Sequence, residues 1–73
     1  MADTITIGKN TYDFSKVKVR KNGRVLDKFS LAYEYEQYDI WSNMTIIMDI
    51  LSYQELKEKF RSLMMEKSNK QSA

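Results

Sequence analysis

The dipeptide Asn22-Gly23 constrains this chain more than any other feature, because strand-like runs lie on both sides of it. Asn-Gly between alternating apolar residues is the strongest short-range hairpin signal a sequence carries. Within residues 16–35, Val17 and Val19 precede it at odd positions, and Val25, Phe29, Leu31, Tyr33 and Tyr35 follow at odd positions. Two registers compete. A two-residue turn pairs Lys21 with Arg24 and sets odd positions opposite even ones, so that lysines share a face with Phe29 and Leu31. Burying unpaired ammonium groups is costly, and a one-residue slip exchanges the two faces completely. A three-residue loop, Lys21-Asn22-Gly23, instead pairs Arg20 with Arg24 and Val19 with Val25, and asks only for a left-handed glycine. The pattern therefore predicts a type I turn with a bulge at Gly23. One face then holds Val17, Val19, Val25, Phe29, Leu31, Tyr33 and Tyr35. The other holds Lys16, Lys18, Arg20, Arg24 and Lys28, with Glu34 and Glu36 further along.

The flanking segments are shorter signals. Thr4-Ile5-Thr6-Ile7 alternates and is β-branched, which predicts a strand closed by Gly8. Lys9-Asn10-Thr11 predicts a turn back toward the hairpin, with Tyr12 and Phe14 placed to pack over a sheet edge. The odd/even pattern shifts near Ser15, as at a bulge or a strand start. Met44 to Leu51 is ambiguous: a strand with Met44, Ile46, Met48 and Ile50 on one face, or a helix capped by Asp39 with Ser42, Thr45, Asp49 and Ser52 as a polar stripe. Its isoleucines and threonine, and the break after it, favour the strand. That break is distinct. Ser52-Tyr53-Gln54-Glu55 is a capping box with Leu51 and Leu56 as a hydrophobic staple, opening a helix from about Tyr53 to Lys67. Leu56, Phe60, Leu63 and Met64 fall on one stripe of it. Residues 68–73, SNKQSA, predict a disordered polar tail after a single domain spanning 1–67.

The fold expected is α+β: an antiparallel sheet of three or four strands with the C-terminal helix packed on one face. At 73 residues the core is thin, since a chain this size buries about 60% of its unfolded surface. There is no cysteine and no histidine, which removes disulfides, thiolate and imidazole metal sites and the usual nucleophile–base pairs. The two glycines are far apart, so no phosphate-cradling loop exists. Glu34 and Glu36 on a solvated strand face have no pocket to shift them. The sequence thus points away from an enzyme, a cofactor or a metal. The beginning MADTITIGKN lacks a basic region and a long apolar run, and Met44 to Leu51 is too short for a bilayer, so a cytoplasmic protein is expected. Five methionines and the apolar 44–51 segment exceed what so small a core hides, which predicts a homodimer or an obligate partner.

Charge is distributed in blocks. Lys9 to Lys28 carries seven basic and two acidic residues; Phe29 to Leu56 carries five acidic residues and no lysine or arginine; Lys57 to Ala73 carries five basic and two acidic. Two binding modes follow. A protein partner could dock on the acidic-aromatic edge formed by Tyr33, Glu34, Tyr35, Glu36, Tyr38, Asp39 and Trp41, since tyrosine and tryptophan are favoured at hot spots. Alternatively, Lys16, Lys18, Arg20, Lys21, Arg24 and Lys28 could hold nucleic-acid phosphates, a two-stranded ribbon being able to enter a groove. The run YEYEQYD resembles in character small phage-encoded inhibitors of host replication, repair or defence proteins, some of which imitate the charge of DNA. That resemblance implies a non-enzymatic protein binder that blocks a nucleic-acid-handling host protein.

Overall fold

A computed structural model describes residues 3–14 and 17–71, the last three by their backbone alone. Two hairpins form one antiparallel sheet in the order β1-β2-β3-β4. Strands β1 (Thr4–Ile7) and β2 (Asn10–Asp13) pair from Thr4↔Asp13 to Ile7↔Asn10 across a turn at Gly8-Lys9. Gly8 has φ +62°, the left-handed conformation that glycine enters without steric cost. Along β1 the odd side chains Ile5 and Ile7 turn inward and the threonines outward, as alternation requires.

The second hairpin is shorter than its sequence suggests and turns differently. Strand β3 (Arg20–Lys21) meets β4 (Arg24–Val25) with Arg20↔Val25 and Lys21↔Arg24 paired, which is the two-residue turn and not the three-residue loop. Both central residues have positive φ, Asn22 at +52° and Gly23 at +85°, as a type I′ turn demands. The burial penalty on this register arises only where Phe29 and Leu31 continue the second strand. They do not. The strand ends at Val25, and Asp27 then caps a helix, α1 (Lys28–Tyr38), its carboxylate accepting a hydrogen bond from Ser30 N at 2.8 Å. With no extended apolar face to share, Lys18 stays exposed and the partly buried Lys21 pairs with Glu34, so the tighter turn wins. Asn22 also braces the turn on β2: its Oδ1 accepts from Thr11 N at 2.8 Å, and its backbone N–H donates to Thr11 O at 2.8 Å. The shift expected near Ser15, and Lys16 with it, lie outside the described residues.

The segment 44–51 forms a helix as well. Helix α2 (Met44–Ile50) begins at Asn43, whose Oδ1 accepts from Ile46 N at 3.1 Å, and not at Asp39. Helix α3 (Tyr53–Gln71) starts on the expected capping box: Ser52 Oγ accepts from Glu55 N and Glu55 Oε1 accepts from Ser52 N, both at 3.2 Å. It runs past Lys67 as far as Gln71.

The C-terminal helix packs on the sheet and on α1, and α1 packs on α2. Leu56, Phe60 and Met64, spaced by four, are fully buried beneath Ile7, Tyr12, Val19 and Leu31. Phe60 is the hub. Its ring lies 5.3 Å from that of Tyr12, 5.8 Å from Phe14, 6.1 Å from Tyr38 and 6.3 Å from Tyr35, centroid to centroid. Tyr53, in the first turn of α3, ties the second hairpin down: its hydroxyl accepts from Val19 N at 2.6 Å and donates to Leu26 O at 3.0 Å.

Candidate functional site

Helix α1 decides where most candidate residues point. In a strand, Tyr33 and Tyr35 would share a face; in a helix, residues two apart diverge by about 200°. Leu31, Ala32, Tyr35 and Tyr38 accordingly turn toward the core, while Phe29 and Tyr33 turn outward and are 55% and 50% exposed. The run from 33 to 39 is therefore one inner and one outer helix surface, not a strand edge.

Its carboxylates are each engaged inside the protein. Glu34 Oε1 accepts from the Tyr12 hydroxyl at 3.0 Å and Oε2 from Lys21 Nζ at 2.9 Å, joining β2, β3 and α1. The Tyr12 hydroxyl also lies 3.2 Å from that of Tyr38, and Lys21 Nζ sits 5.9 Å from the centroid of the Tyr12 ring. Burial, reinforced by the hydrogen bonds to Tyr38 and Glu34, pushes the Tyr12 hydroxyl far above the ordinary phenol range. It stays protonated at neutral pH and acts as a fixed donor, which suits a clasp and not a general base. Glu36 Oε2 accepts from Met44 N at 2.9 Å, capping α2. Asp39 ends α1 and accepts from Trp41 N at 3.1 Å. Hydrogen bonds, first from Ser42 and then from Trp41 N, hold its carboxyl below the usual range despite partial desolvation.

The apolar members behave otherwise. Trp41 is 90% exposed and its neighbour Ile40 78%, both in the turn that leads into α2. Ile46 and Ile50, one turn apart on α2, are 54% and 70% exposed, whereas Ile47 between them is buried. Trp41 is exposed as a docking residue would have to be, and Ile40, Ile46 and Ile50, which the sequence pattern did not single out, are exposed near it in the chain. The missing signal was Asn43 as a helix cap: a helix from Met44 has apolar residues nearly all round and cannot bury them all.

The basic residues are also divided. Lys16 lies outside the described residues; Lys18 and Arg24 are exposed; Arg20 and Lys28 are half-buried; Lys21 is neutralised by Glu34. Between the second hairpin and α1 runs a groove of about 610 Å³, lined by Lys21, Arg24, Leu26, Phe29, Tyr33 and Glu34 among others. The fold thus sets two outward aromatic rings beside a cation, which the sequence pattern did not anticipate. Among the described residues, no group of three or more acidic side chains could hold a metal ion. No helix there is long and apolar enough to cross a membrane. Taken together, the described residues form a small α+β domain with a polar clasp, an apolar corner and a mixed groove. Comparison with known proteins finds no family model, no curated protein and no solved structure that matches the chain.

Proposed function

We propose that the protein is a non-enzymatic protein-binding module that docks through the corner between α1 and α2. The observation that carries this reading is Trp41, 90% exposed, with Ile40, Ile46 and Ile50 also exposed between positions 40 and 50. Small monomers scatter exposed apolar side chains singly; four in so short a stretch mark a surface built for a partner. An indole is also among the strongest anchors at such surfaces. The carboxylates play a smaller part than the acidic-edge reading gave them, because Glu34, Glu36 and Asp39 are already hydrogen-bonded inside the protein. Charge still shapes partner choice. From Phe29 to Leu56 the chain has five carboxylates and no lysine or arginine, so a basic surface is favoured. A basic surface is what nucleic-acid-handling proteins expose, which agrees with a phage-type inhibitor acting in the cytoplasm. The same acidity disfavours an isologous homodimer through this corner, where like charges would face each other.

Trp41 is the chain's one tryptophan, so its emission tests the reading directly. Free protein should give the red-shifted, readily quenched emission of a hydrated indole. In a complex recovered from host lysate that emission should shift to the blue and resist quenching. Trp41→Ala should weaken the complex by roughly 30-fold or more, the scale of an anchor residue. Light scattering on the isolated protein separates a second copy from a different partner. Undiminished capture by Trp41→Ala, with emission unchanged on binding, would sink the reading.

A further inference from the structure

The groove between the second hairpin and α1 lies at the other end of α1 from Trp41 and has a different character. We propose that it binds single-stranded nucleic acid, with successive bases stacked on Phe29 and Tyr33 and a phosphate held by Arg24. Phe29 and Tyr33 occupy the outer face of α1 at i and i+4, and both rings are half-exposed. Both line the groove, and so does Arg24, which is exposed on β4. Aromatic faces beside a cation are the combination that single strands use, because every base offers a π-face and every nucleotide an anion.

The spacing selects single over double strand. Four residues of helix rise about 6 Å, whereas neighbouring bases in a duplex strand are stacked about 3.4 Å apart. Two bases can meet the two rings only if they are unstacked and splayed, which a duplex forbids. Glu34 on the groove wall does not oppose this. Its two oxygens are taken by Tyr12 and by Lys21, so the wall is neutral there and Arg24 leaves the groove positive. This site does not depend on the apolar corner, and Tyr33 stands five residues, about 7 Å of helix, before the end of α1 that leads to Trp41.

The test is fluorescence anisotropy with labelled oligothymidine of about twelve nucleotides, set against the matched duplex and thymidine monophosphate, over a salt series. The full-length protein should bind the single strand at least ten-fold more tightly than the duplex and far more tightly than the mononucleotide. Phe29→Ala/Tyr33→Ala should lose about ten-fold or more, and Arg24→Glu should lose affinity and flatten the salt dependence. Both sites are surface positions, so circular dichroism should report an intact fold, and Trp41→Ala should bind as the parent does. Equal binding of duplex or mononucleotide, or an aromatic double variant that binds undiminished, would overturn the proposal. So would absence of binding at about 100 μM, the weak limit of non-specific association. A parent dimer that the aromatic double variant converts to monomer would overturn it as well, making the groove an interface between copies.

Discussion

Glu34 joins three elements, β2, β3 and α1, through one carboxylate. Its carboxylate takes the Tyr12 hydroxyl and the Lys21 ammonium, from two different strands, at 3.0 and 2.9 Å. Glu34→Ala would leave both donors partly buried with a partner lost, so we expect a loss of about 2–3 kcal/mol in urea unfolding. Trp41→Ala, by contrast, removes a ring that is 90% exposed and should change stability by no more than about 0.5 kcal/mol. The ionisable groups set the pH limits. Tyr12, Tyr35 and Tyr53 are all raised, in each case chiefly by burial. The folded state thus keeps protons that the unfolded chain releases, and stability should be complete below about pH 10 and fall as pH rises beyond it. Asp27 and Asp39 run the other way. Their carboxyls are lowered by hydrogen bonds, from Ser30 in one case and Ser42 first in the other. They favour folding above the unfolded carboxylate range, about pH 4, and that contribution disappears as the pH drops through their lower folded values. Melting temperatures across the pH range should show both flanks, with Asp27→Asn reducing the acid one.

At the scale of elements, the turn and the caps carry the sharpest expectations. Gly23 has φ +85° and a side chain there would meet nothing within 4 Å, so Gly23→Ala isolates backbone strain. It should cost about 1–2 kcal/mol with no change in packing. Ser52→Ala should cost about 1 kcal/mol through the lost capping box, read as a lower urea midpoint at unchanged slope. The elements legible in the sequence are those with such local chemistry: the β1 strand, the α3 cap and its buried stripe, and Asn22-Gly23 as a turn. Helix α1 escaped because Tyr33, Glu34, Tyr35 and Glu36 alternate as a strand does, and an extended pattern running on from Val25 hides Asp27 as a helix cap. Helix α2 escaped because its apolar residues surround it, which leaves neither period dominant. The register of the second hairpin followed from the first of these errors, since the faces it was balanced against belong to α1. Of the candidate site, the residue types were legible and their directions were not.

For the molecule as a whole, stability hangs on few side chains. Phe60 has four aromatic neighbours drawn from β2, α1 and the chain just after β2. Phe60→Ala should cost about 3–5 kcal/mol, against a total of roughly 5–15 kcal/mol for small domains. We expect that variant to be largely unfolded at 37 °C by circular dichroism. The α+β class was legible from the sequence because it follows from counting elements; the aromatic hub was not, because it depends on rings brought together from residues 12 to 60. That placement governs how the protein can fold. Phe60 lies far along the chain from Tyr12 and Phe14, so the hub closes only when segments distant in sequence meet. Until α3 docks, the sheet and α1 hold their rings without a central partner, and in that interval chaperones and proteases can reach them.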